Sequence, residues 1–147
     1  MGEKLSYIRD GRAPIPEKEI TSRIMRSIKN RNTKPELLLR KALWHCGIKG
    51  YRLHWMKAPG KPDISFPGKK IAIFVNGCFW HRCPHCKPKI PKSHLDFWTV
   101  KFQKNIARDK MKIKLLLDQN WNTLVIWECE INNDLTKCVQ RVINRAM

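Results

Sequence analysis

The sequence predicts an α/β domain: a mixed β-sheet with helices on its faces. Three observations carry that expectation. The continuous run Ile71-Ala72-Ile73-Phe74-Val75 has the composition of a central strand buried on both faces. A second strand-like run at 123–127 follows a long stretch of helical periodicity, the pattern of a crossover between neighbouring strands. Two shorter strand-like segments, 51–55 and 64–66, precede the central run. The expected element order is α-α-β-β-β-α-β-α, a meander followed by a helical crossover.

The elements follow from local chemistry. Residues 1–19 mix Gly2, Gly11, Pro14 and Pro16 with many charges and read as a flexible basic arm ahead of a single domain over 20–147. Thr21 or Ser22 caps a short helix whose apolar positions are Ile20, Ile24, Met25 and Ile28, so Met25 reads as core. Thr33-Lys34-Pro35-Glu36 opens a second helix. Thr33 is a good N-cap and Glu36 has capping-box spacing, a feature worth about 1 kcal/mol. Leu37, Leu38, Ala42, Leu43 and Cys46 form its apolar side, and Gly47 stops it. Pro59, Gly60 and Pro62 break the chain after the first strand, and Pro67-Gly68-Lys69-Lys70 suits a type II turn. Residues 76–94 are expected to lack regular structure. Ser93 caps the long helix that runs to about Gln119, and Asn120 suits a left-handed end. Asn132 or Asn133 starts a last helix carrying Leu135, Val139, Val142 and Ile143, with Cys138 in its core face as Cys46 is in the earlier one.

Charge narrows the function. Thirty Lys+Arg against twelve Asp+Glu give a formal net charge of +18, and a protein that tolerates such self-repulsion ordinarily meets a polyanion. The basic residues are spread along the chain, which argues for nucleic acid over a membrane surface. No window is long and apolar enough to span a bilayer and no secretory signal opens the chain, so a cytoplasmic protein is expected. The six cysteines should then be reduced, which favours metal or core roles.

The chemistry concentrates between Pro62 and Cys86. Cys83-Pro84-His85-Cys86 is a hairpin of zinc-ligand spacing, and Cys78 and Cys129 can close a structural tetrahedron of four thiolates if strand 123–127 lies beside 71–75. A redox pair is the alternative, but a loop follows this motif where redox motifs open a helix. Asp63 heads a strand after Pro62, a placement suited to holding Mg²⁺ through one carboxylate; an Asx-turn is the plain alternative. The common nuclease pattern of Glu-x-Lys on the next strand is missing from Ala72–Asn76. His81 is left free by the four cysteines and could take a proton from an attacking water, with Asp109 on the crossover helix as a candidate partner. Phe79 and Trp80, exposed beside basic residues, could stack on bases.

The ordered set Met25-Arg26-Ser27-Ile28, Pro62-Asp63, Phe74-Val75-Asn76-Gly77-Cys78-Phe79-Trp80-His81, Phe97-Trp98, Asn105 with Arg108-Asp109, and Trp121 before Val125-Ile126-Trp127-Glu128-Cys129 resembles the very short patch repair (Vsr) endonucleases over about residues 20–131. The resemblance implies a restriction-endonuclease-like sheet with a structural zinc, and an enzyme that nicks DNA 5′ to the thymine of a T:G mismatch left by deamination of 5-methylcytosine. It implies Mg²⁺ on Asp63 and the main-chain carbonyl of Val75, His81 as catalytic base supported by Asp109, and Glu36 as a further active-site acid. It also makes Phe79, Trp80 and Trp98 a wedge into the duplex and Met25 an intercalating residue. Asn76 stands where some members carry a second active-site histidine. Zinc ligands vary between Cys and His in the family; spacing here selects Cys86, with His85 as the fallback. A monomer acting on mismatched double-stranded DNA near the bacterial nucleoid is expected, with mismatch-repair proteins as further candidate partners. The competing readings are a non-catalytic zinc-bearing DNA-binding protein and a restriction-type double-strand nuclease.

Overall fold

A computed structural model describes residues 32–146. The expected basic arm, the first helix and Met25 lie outside the described residues. The first described helix, α1, spans Lys34–His45. Thr33 caps it by accepting from the Glu36 N–H, while Glu36 reaches back to the Asn32 N–H at 3.2 Å. Leu39 and Leu43 face the core, whereas Leu37 is exposed. Cys46 is exposed too and not core as expected: it sits past the last turn, where its backbone N–H closes the helix on Ala42 and Leu43.

Four strands form one sheet in the order β1-β2-β3-β4. They are β1 (Arg52–Leu53), β2 (Ile64–Phe66), β3 (Ile71–Asn76) and β4 (Asn122–Trp127). The first three run antiparallel and β4 joins β3 in parallel. The mixed sheet therefore matches the expected meander and crossover. Strand β1 is shorter than expected because His54 adopts a left-handed backbone (φ 49°) and ends it. The β2–β3 connection is a 3-10 turn over Pro67–Lys69, not type II: Gly68 does not take the positive φ that a type II turn requires there, and Lys70 takes it instead (φ 54°).

All of β3 is buried, and its alternation divides the core. Ile71, Ile73 and Val75 join Leu39, Leu43, Ile64, Ile126 and Val142 on one face. Ala72 and Phe74 pack with Ala58, Leu116 and Trp121 on the other. Strand β4 is half-buried, with Leu124 and Ile126 pointing into the first core.

A one-turn helix, α2 (Cys78–His81), follows β3 in a region expected to be irregular. The crossover helix α3 spans Leu95–Asp118. Its cap residue is His94 in a left-handed conformation, without a side-chain bond, so Ser93 does not cap it; Asn120 is left-handed beyond its end, as expected. After β4 a short helix α4 (Glu128–Asn133) precedes α5 (Leu135–Ala146). Asp134, rather than Asn132 or Asn133, opens α5 by accepting from the Lys137 N–H at 3.1 Å. No described helix is long and apolar enough to cross a membrane.

Candidate active site

Strand direction gathers the expected site residues at one end of the sheet. Strands β3 and β4 are parallel, so Asn76 and Trp127 end side by side. Strand β2 is antiparallel to β3, so Asp63 at its head lies at the same end, and β1 is antiparallel again, so its last residue and His54 arrive there too. Ligand sites of open α/β sheets form outside the carboxyl ends of parallel strands.

Asp63 Oδ2 accepts from the Val75 N–H at 2.7 Å. In an extended strand a residue's N–H and C=O project to the same edge, so the Val75 carbonyl faces the Asp63 side as well. Glu36, 2% exposed, and His54 complete the nest. His54 Nε2 lies 3.2 Å from Glu36 Oε2, and Nδ1 lies 3.8 Å from Asp63 Oδ1. Burial pushes the Asp63 carboxyl up to about 7; Glu36 adds to the rise, while the Val75 N–H, Lys112 and His81 oppose it. A desolvated carboxylate beside a second buried acid and an inward-facing carbonyl is a donor set that a divalent cation satisfies.

His81 Nδ1 is 2.6 Å from Asp109 Oδ2. That contact places the ring proton on Nδ1 and leaves Nε2 as an acceptor. Asp109 lies in a single stripe of α3 at three-to-four spacing: Trp98, Phe102, Asn105, Asp109, Lys112 and Leu116. Asn105 is buried and donates to the Trp80 carbonyl at 2.9 Å, which ties α2 to α3 one turn before the His81–Asp109 pair. Lys112 is held by the 59–61 loop: a Cβ on Gly60 (φ +75°) would stand 2.8 Å from Lys112 Cβ.

Phe79, Trp80 and Trp98 are half-buried, neither freely exposed nor in the core. Phe79 packs edge-on against Trp80, Trp98 and Phe102 at 5.1, 5.5 and 5.2 Å, and Trp98 lies 5.0 Å from Phe97. The Arg82 guanidinium covers the Phe102 ring at 4.3 Å.

The four expected cysteines converge. Sγ atoms of Cys78, Cys83, Cys86 and Cys129 all lie within 4.8 Å of one another, and His85 is not in the group. Four sulfurs about 2.3 Å from one zinc stand about 3.8 Å apart in a tetrahedron; Cys83 and Cys129 are 3.7 Å apart. Without a cation the thiols titrate unequally. Burial pushes Cys129 up to about 11 and raises Cys78; burial opposes ionisation of Cys83 too, but the N–H groups of Cys86 and His85 and the thiols of Cys129 and Cys86 together lower it. The cluster is pinned at both strand ends: Cys129 N–H donates to Cys78 Sγ at 3.3 Å, and Cys78 N–H to Glu128 Oε1 at 3.2 Å.

Sequence reasoning had not singled out His54 or Lys112. His54 was available from pairing register: if Leu53 faces Ile64, residue 54 must face Asp63. Lys112 was available from counting one turn on from Asp109.

Comparison with known proteins agrees with this architecture. Residues 14–87 match the family described as DNA mismatch endonuclease Vsr. The Type II nicking enzyme V.XorIIP of Xanthomonas oryzae pv. oryzae is 39% identical over 110 residues, covering 75% of this chain and 80% of that protein. The Type II nicking enzyme V.NmeDIP of Neisseria meningitidis serogroup C is 37% identical over 125 residues, covering 84% of each. The DNA mismatch endonuclease Vsr of Escherichia coli K12 is 35% identical over 120 residues, covering 81% of this chain and 76% of that protein. A match over half the chain, relatives at this identity and a sheet end carrying acid, imidazole and cysteine clusters lead to one conclusion: the chain belongs to the Vsr family of DNA endonucleases.

Proposed function

We propose that this endonuclease nicks one strand of double-stranded DNA 5′ to the thymine of a T:G mismatch, with Mg²⁺ or a similar divalent cation at Asp63 and a structural zinc on Cys78, Cys83, Cys86 and Cys129. The observation that carries the reaction type is the His81–Asp109 pair at 2.6 Å, set near a buried carboxylate nest. The relatives, named as nicking enzymes and a mismatch endonuclease, support the single-strand and mismatch elements of the reading.

Each residue then has a role derived from its placement. His81 Nε2 removes the proton from the attacking water. Asp109 holds the ring through Nδ1–H and stabilises the imidazolium that forms. Asp63, with Glu36 and the Val75 carbonyl, supplies hard oxygen donors to the cation, which when bound contributes Lewis-acid charge to the scissile phosphate. Phe79, Trp80 and Trp98 present aromatic faces to a disrupted base pair, where unstacking is least costly. The four thiolates form a closed set, as structural zinc sites do, and fix the turn that carries His81.

The test is a supercoiled plasmid carrying one T:G site, incubated with the zinc-loaded chain and Mg²⁺. Conversion to the open circle, mapped 5′ to the thymine and absent from the T:A control, is the expected result. Linear product from matched DNA would replace this reading with a double-strand nuclease. Binding without any cut strand would reduce the chain to a DNA-binding protein.

A further inference from the structure

The acid nest contains an imidazole that the proposed reaction does not use. His54 is fixed from two sides. Its N–H donates to the Asp63 carbonyl at 3.1 Å, and its left-handed backbone, a conformation that disfavours residues with a Cβ, is held there at the end of β1. The ring reaches both acids, Nε2 to Glu36 Oε2 at 3.2 Å and Nδ1 to Asp63 Oδ1 at 3.8 Å. A purely structural histidine would satisfy its buried nitrogen. Here Nε2 is shielded from solvent yet makes no hydrogen bond of acceptable geometry, in spite of its closeness to Glu36. Glu36, His54 and Asp63 can each offer one donor atom, with the three atoms inside 4.8 Å of one another.

That donor set has a chemical consequence. Mg²⁺ takes oxygen donors in near-ideal octahedra, whereas first-row transition ions accept imidazole readily. We propose that His54 is a direct ligand of the catalytic cation, together with Asp63 and Glu36, and that the site therefore favours Mn²⁺ or a related transition ion over Mg²⁺. The inference rests on the reading of Asp63 as a cation-binding carboxylate, and it adds a nitrogen donor to that site.

The experiment uses the full chain with its cysteine site loaded with zinc and Mn²⁺ as the probe. Pulsed electron paramagnetic resonance of bound Mn²⁺ should show imidazole-nitrogen modulation. The modulation should shift in wild-type protein grown on heavy-nitrogen histidine, persist in His81→Gln and vanish in His54→Gln. Mn²⁺ affinity should fall about tenfold or more in His54→Gln, with a smaller loss for Mg²⁺ measured by competition. The isotope arm needs no substitution, so a His54→Gln chain that fails to fold does not protect the proposal. Bound Mn²⁺ lost in Asp63→Asn but lacking histidine modulation in the wild type would overturn the role of His54 and leave Asp63 intact. Modulation that survives His54→Gln and disappears in His81→Gln would also overturn it. Mn²⁺ binding indifferent to Asp63→Asn would overturn both the inference and the reading beneath it.

Discussion

Two clusters sit at the same end of the sheet and are built on opposite principles. The cysteine cluster gathers four like donors from the segments that follow the two parallel strands, and every donor turns inward. The acid nest gathers unlike donors from a helix start and the ends of two antiparallel strands. The first is closed and its geometry is that of a staple. The second sets two carboxylates beside an imidazole, and burial there pushes the Asp63 carboxyl up to about 7. On the proposed reading, stability and reactivity would be separated by a single turn of chain, because α2 carries both Cys78 and His81.

The contrast breaks most dramatically at the staple. Cys83→Ala or Cys129→Ala should remove zinc and unfold the chain, since structural zinc contributes on the order of 10 kcal/mol. Metal content and circular dichroism would report this. His85→Ala should retain one zinc per chain. Full zinc in Cys86→Ala, with loss in His85→Ala, would transfer the ligand role to the histidine.

At the reactive end, His81→Ala should slow nicking by about 10²–10⁴-fold at neutral pH while keeping zinc and fold. The loss should shrink at high pH, where hydroxide replaces the imidazole. A pH–rate profile together with zinc analysis distinguishes a base from a metal ligand; wild-type nicking at neutral pH in a folded His81→Ala chain would exclude the base.

Asp63 offers the sharpest opposition between the two principles. Its carboxyl is raised from 3.8 to about 7, so between those values the folded, cation-free chain binds more protons than the unfolded chain. The Asp63 contribution to stability therefore falls as pH rises through that window and is lowest above about pH 7. Asp63→Asn should abolish nicking yet raise cation-free stability at about pH 8, by up to about 4 kcal/mol, with little change at about pH 4. Urea unfolding at the two pH values checks it. Equal effects at both would mean that the carboxylate is already compensated.

The smallest expected effect concerns the aromatic residues. Phe79→Ala with Trp80→Ala should lower the preference for T:G over T:A by about 1–3 kcal/mol per stacked base while leaving much of the salt-dependent affinity. Competition binding with the two duplexes measures it. Unchanged discrimination would assign the pair to packing alone.

The two clusters also differed in how far the sequence disclosed them. Cysteine is rare, and its spacing around Cys83 and Cys86 speaks for itself once β3 and β4 are neighbours. The sheet was similarly legible, because the burial of 71–75 and the crossover periodicity are strong local signals. His54 was not, since its meaning depends on a cross-strand register that no local pattern states. Asp109 was legible as a candidate partner of His81, but Lys112 was hidden for another reason: a polar residue in the inward stripe of a helix looks like a solvent-facing one until the stripe is traced through Trp98, Phe102 and Leu116. The left-handed cap at His94 and the 3-10 turn at Pro67 are backbone choices that leave little compositional mark.

The stripe on α3 has a mechanical meaning. One straight rod carries Trp98 at one station and the partner of His81 at another, eleven residues and about 16 Å further along. The short turn α2 meets the rod at both stations, through Phe79 and Trp80 near the first and through His81 at the second. Any tilt of that turn that shifts the rings would therefore also move the imidazole against its carboxylate. On the proposed reading, mismatch sensing and cutting would share one lever, with no separate checkpoint between them.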